Sequence, residues 1–251
     1  MIKFFRNIRK KLLAEGNTGK YLKYAIGEIV LVVIGILIAL QINNWNNNRI
    51  EAKEEKHLLI NLKSEIIGNH ERLQEMIKFH EHINRHMVEF SEYFGPDQQP
   101  IEVESFENYI SALSWTPYYS PQKGVFNSSL SSGKIGIIKN DNLSFKLSSI
   151  TSLEKTYGNI LDHLKNLLSN HFTAHIIDKY PLINMRTGDL SANKRSSFPL
   201  EQKKVLQSME FETLVNLKRL NTSDALGHAE DLYQVQNEII GLIDSELKRF
   251  E

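Results

Sequence analysis

Hydrophobic positions change their rhythm twice along this chain, and each change marks a different kind of element. Residues 25–40 read AIGEIVLVVIGILIAL, an apolar run interrupted only by Glu28. Extended to Ile42 it reaches about 18 residues, the short end of what a membrane-spanning helix requires. Tyr21 and Tyr24 precede the run and Trp45 follows it, as amphipathic rings do at the two headgroup levels of a bilayer. Tyr24 to Trp45 is 21 steps, about 31 Å of helix and close to the thickness of a hydrocarbon core.

Beyond Asn46 the apolar run gives way to a seam. Leu59, Leu62, Ile66, Asn69, Leu73, Met76, His80, Ile83, Met87, Phe90 and Phe94 follow one another in steps of three and four. That spacing predicts a long helix packed along one stripe, with Asn69 and His80 as its polar members. Gly95-Pro96 ends it. Glu102–Leu113 reads as a short helix, and the two prolines of SWTPYYSPQ make residues 114–122 a loop. Gly124–Ser132 forms a brief helix stopped by Gly133, with 134–139 as a connector.

Asn140 or Asp141 then caps a second long helix whose face is Ile150, Leu153, Tyr157, Ile160, Leu164, Leu167 and His171. Pro181 stops it near Tyr180. After a polar loop at 184–198, Pro199 opens a helix to about Leu220. Ser223 or Asp224 caps a last one with the face Leu232, Val235, Ile239, Leu242 and Ile243. No strand pattern emerges. The expected fold class is all-α: a transmembrane helix followed by an antiparallel helical bundle whose first helix is long and heptad-patterned.

Charge orients the span. The chain carries 30 basic and 30 acidic residues, so its balance gives no electrostatic case for nucleic acid. Residues 1–24 nevertheless hold seven Lys or Arg against one Glu, 7 − 1 = +6, which leaves −6 for the rest. Basic residues ahead of a span hold that end in the cytoplasm. The exit ALQINNWN lacks a small-x-small cleavage site, so the segment reads as an uncleaved signal anchor. The expected organisation is a basic cytoplasmic segment at 1–24, a transmembrane anchor at 25–45, and an extracytoplasmic domain at 46–251. Met1, Phe5, Ile8 and Leu12 recur at helical spacing among cations. This suits a helix lying in the inner-leaflet interface, the alternative being a disordered basic tail.

Candidate chemistry is sparse. There is no cysteine, hence no thiolate nucleophile, disulfide or sulfur-bound metal. His82 and His86 stand four apart, a spacing that can bind metal, but without a second ligand pair they read as a solvated face. Ser131-Ser132-Gly133-Lys134 matches S-x-x-K, yet the S-D-N and K-T-G partners of that chemistry are missing. As a phosphate loop it fails too, with Ser128 at the first glycine position and Ile135 in place of Ser/Thr. A helix C-cap accounts for both matches. The loop aromatics Trp115, Tyr118 and Tyr119 are either a partner-recognition surface or a lid on the end of the bundle.

In the span, Glu28, Gly35 and Ala39 fall on one stripe, and Gly35-x-x-x-Ala39 lets another backbone approach closely. Glu28 therefore either faces a helix–helix contact or reaches back to the headgroups.

GEIVLVVIGILIALQINNWN at 27–46 and SSLSSGKIGIIKNDNL at 128–143 resemble a family of single-pass membrane proteins of Gram-negative Bacteroidota, known as a domain of unknown function. The likeness runs over most of the chain. It implies an inner-membrane protein with a periplasmic domain, and brings no activity, catalytic residue or ligand with it. The expectation is a non-enzymatic, membrane-anchored periplasmic scaffold or sensor-like module acting on a protein partner, with no catalytic, cofactor or metal residues. Its expected partners are the lipid bilayer and another copy of itself or another membrane protein through the span; no small-molecule ligand is inferred. The alternative is a subunit of a proton-coupled complex that uses Glu28.

Overall fold

The computed structural model describes residues 18–185 and 195–251. The interfacial helix expected within residues 1–17, the side chain of Tyr21 and the middle of the 184–198 loop lie outside the described residues. Helix α1 spans Thr18–Ser91, 74 residues. The remaining helices are α2 (Val103–Ser114), α3 (Gly124–Ser131), α4 (Asp141–Leu167), α5 (Thr173–Ile176), α6 (Gln202–Leu206) and α7 (Met209–Leu247). Short 3₁₀ turns sit at Lys134–Ile137, Leu182–Asn184 and Lys248–Phe250, and a π turn at Leu168–Phe172. No strand occurs among the described residues.

Packing divides the chain into Met1–His57 and Leu58–Glu251. In the first unit, α1 carries an apolar stretch long enough to cross a membrane, none of it buried by protein. Leu31, Leu37 and Ile42 are exposed like their neighbours.

The second unit is built on residues 58–91 of α1 with α4 and α7. Asn140 at the start of α4 donates to Glu246 near the end of α7 at 2.7 Å, and Lys146 meets Glu238 at 2.5 Å, so α4 and α7 are antiparallel. Lys63 pairs with Asp244 at 2.5 Å, while the His70 and Tyr233 rings stack at 3.9 Å. α7 is therefore antiparallel to α1 as well. α1 and α4 run the same way, because α2, the loop and α3 carry the chain back between them.

The heptad seam is the buried face of α1: Leu59, Leu62, Leu73, Met87 and Phe90 are fully enclosed, and so are the polar Asn69 and His80. The core forms two clusters. One surrounds Leu59, Leu62, Leu147, Leu232 and Ile239; the other surrounds Met87, Phe90, Phe106, Phe172 and Phe211.

Three boundaries differ from the sequence reading. α1 ends at Ser91, a turn before Gly95-Pro96, and the Gly95 N–H bonds to the Leu206 carbonyl at 3.0 Å instead. The π turn adds a residue to one turn of the helix after Leu167 and slips its face: Phe172, not His171, is buried, followed by Ile176 and Tyr180. The helix expected to break at 220–224 is continuous, and the break lies at Gln207-Ser208. There the Ser208 hydroxyl accepts the Phe211 N–H at 3.3 Å, and Glu210 and Glu212 occupy the first turn, where negative charge favours a helix start. Asn221, of the kind that caps helices, instead donates back to the Leu217 carbonyl at 2.8 Å inside α7.

Candidate functional site

The aromatic loop at 115–123 is held by side chains from three long helices. On α1, Asn69 donates to the Gln122 carbonyl and accepts the Gln122 N–H, each at 2.7 Å. One turn earlier, the Glu65 carboxylate accepts the N–H groups of Val125 at 2.7 Å and Phe126 at 3.0 Å. It thereby caps α3 with negative charge at the positive end of the helix. Lys123 meets the nearly buried Glu154 of α4 at 2.5 Å, where burial raises the carboxyl pKa against the opposing pull of Lys123. From α7, Lys218 donates to the Trp115 carbonyl at 2.6 Å.

So anchored, the three loop aromatics take different roles. Tyr119 turns inward, its ring 5.5 Å from Tyr157 and its hydroxyl accepting from Gln236 at 3.4 Å. Burial pushes its pKa up to about 12. It is a plug. Trp115 stacks on Phe79 at 6.0 Å and stays 47% exposed, whereas Tyr118 is 82% exposed.

Beneath the loop, where the two core clusters meet, lies a polar layer. His80 Nε2 and the Tyr157 hydroxyl are hydrogen-bonded at 2.8 Å. Burial, and then repulsion from Lys218, brings His80 down to about 4. Burial alone brings Lys218 down to about 8. His80 Nδ1 and Thr222 Oγ1 are enclosed without a hydrogen-bond partner. Burial and the neighbouring Lys218 therefore both keep the His80 imidazole neutral.

His82 and His86 lie on the outer side of α1, their rings 4.2 Å apart. His86 Nδ1 bonds to the His82 carbonyl at 2.9 Å. Among the described residues no group of three His, Asp or Glu side chains is placed to hold a metal ion.

In the apolar stretch of α1, Glu28 is half-buried and Ala39 exposed, and a Cβ added at Gly35 would meet nothing within 4 Å. Trp45 lies under the Arg49 guanidinium at 5.7 Å, a cation–π contact one turn apart.

Residues 28–223 match the family of unknown function DUF6090. The chain belongs to that family. No curated protein and no solved structure matches it. The matched region begins at Glu28 and takes in the Ser-Ser-Gly-Lys connector, the aromatic loop and the His80–Tyr157–Lys218 layer; Gln236 falls beyond it.

Sequence reasoning placed Trp115, Tyr118 and Tyr119 together but missed what holds them. Lys218 carried a readable signal: it sits in register on the apolar stripe Phe211, Leu214, Lys218, Thr222, Ala225. Glu65 and Gln236 gave none, since nothing local says that a segment 60 or 117 residues away will dock there.

Proposed function

We propose that this member of the family is a single-pass, membrane-anchored helical module that works by holding a protein partner, not by catalysis. Its N-terminus lies in the cytoplasm and residues 46–251 in the periplasm of a cell with two membranes. One observation carries the anchor: a helix exposes apolar side chains all round from Leu22 to Ile42, an arrangement that hydrocarbon satisfies and water does not. The +6 segment ahead of it supports the orientation, and Trp45 under Arg49 supports an interface at that level. The partner surface is the outward part of the loop, Trp115 and Tyr118, held in place by Asn69, Lys218 and Tyr119. An aromatic held rigid in the free protein loses little entropy on binding.

A reporter fused after Glu251 tests the topology: one that works only in the periplasm is active, and activity of a strictly cytoplasmic reporter overturns the orientation. Co-purification from native membranes tests the partner surface. Tyr118→Ala is expected to lose the bound protein while leaving the fold intact. Substrate turnover by the purified protein, abolished by one substitution, overturns the non-enzymatic reading.

The stripe Glu28, Gly35 and Ala39 favours a second reading, in which the span assembles with another copy and Glu28 takes part in proton movement. It predicts that collapsing the proton gradient changes crosslinking between spans.

A further inference from the structure

Between α1 and α2 a groove of about 400 Å³ opens beside Trp115, within the range of sites that hold small organic molecules. One wall is aromatic: Trp115, 47% exposed, stacked on Phe79. Ile83 and Ala112 continue it as an apolar floor.

The other side is polar. His86 Nδ1 faces the His82 carbonyl. A carbonyl only accepts, so Nδ1 carries the proton and Nε2 is left as an acceptor. Asn108 adds an exposed amide.

The lining also says what does not fit. Among the described residues no Lys, Arg, Asp or Glu lines the groove. Nearby Arg85 and Glu89 act on His82 in opposite directions. A ligand with a full charge would give up water without meeting a counter-charge.

We propose that this groove binds a small, uncharged, planar aromatic molecule carrying a hydroxyl or N–H donor, of the phenol or indole class. The ring lies against the exposed Trp115, the donor meets His86 Nε2, and Asn108 serves the polar edge. This would make the module a receptor for a small molecule as well as for a protein, and it stands independently of the membrane topology.

The probe is 4-fluorophenol, followed by fluorine NMR on the full-length protein in micelles, with 4-fluorobenzoate and 4-fluorobenzylamine as charged counterparts. The expected result is saturable broadening with a Kd of about 1 mM or tighter, as ligand efficiency allows for a molecule this small. The two charged probes are expected to bind at least ~10-fold more weakly. His86→Ala should weaken 4-fluorophenol by ~5-fold, about one hydrogen bond. His86 is only half-buried, so its variant keeps the fold, and circular dichroism checks this. No saturation up to ~10 mM, equal binding of all three probes, or binding unchanged in a folded His86→Ala protein each overturns the proposal. The last of these outcomes would mark partition into the micelle.

Discussion

His80 imposes a pH dependence on the fold. His80 takes up a proton near 6.5 in the unfolded chain but only near 4 in the native one. Between those values the unfolded state binds more protons, so stability is full above 6.5 and falls as pH drops toward 4. The fall amounts to ~3 kcal/mol for a group this deeply enclosed. Urea unfolding at pH 7 and pH 4.5 should show it, and His80→Leu should flatten the difference between the two. Lys218→Met should raise the His80 pKa while leaving it below 6.5, because burial is the larger cause. A proton titration of the imidazole by NMR reads this directly. Asn69 makes a complementary case. Asn69→Leu suits the apolar seam but leaves the Gln122 N–H and carbonyl without their partner, and should cost about 2 kcal/mol. Limited proteolysis should then cut within residues 115–123 faster than in the unsubstituted protein.

At the scale of elements, the seam on α1 is the most exposed to test. Leu62 is fully enclosed, and Leu62→Asp should unfold the second unit, at a cost above about 3 kcal/mol. Glu54→Ala, at an exposed position, should change stability by less than about 0.5 kcal/mol. Equal effects in thermal melts would refute the register. This seam was legible because a helix face repeats every three or four residues, whatever lies opposite it. Asn140 was legible as a cap for a similar reason: it acts three residues away, on the Leu143 N–H. The break at Ser208 was not. Serine, asparagine and aspartate occur at 208, 221, 223 and 224, and only packing decides which of them leaves the helix. The π turn escaped for the same reason, since the shift from His171 to Phe172 is set by which ring fits beside Phe211. Trp115, Tyr118 and Tyr119 could be named but not sorted into plug and surface, because the sorting is done by residues from other helices.

At the scale of the whole molecule, the apolar stretch of α1 carries the proposed assembly stripe. If the proposed stripe is an interface, Gly35→Leu should weaken assembly while Glu28→Gln preserves it. Cysteines at 28, 35 and 39 should then crosslink between copies better than those at 30, 33 and 37; equal crosslinking would place the stripe in lipid. The loop anchored by Asn69, Lys218 and Gln236 carries a consequence for how the chain folds. Its ties reach across 53, 103 and 117 residues of sequence. Two of them need α7 beside the loop, so the loop is fully tied only after the last long helix has docked. In a Trp45→Phe protein the fluorescence of Trp115 should therefore lag behind the recovery of helical circular dichroism during refolding. A newly made chain would pass through an interval in which its helices are assembled but its aromatic surface is not, and so could engage no partner before the bundle is complete.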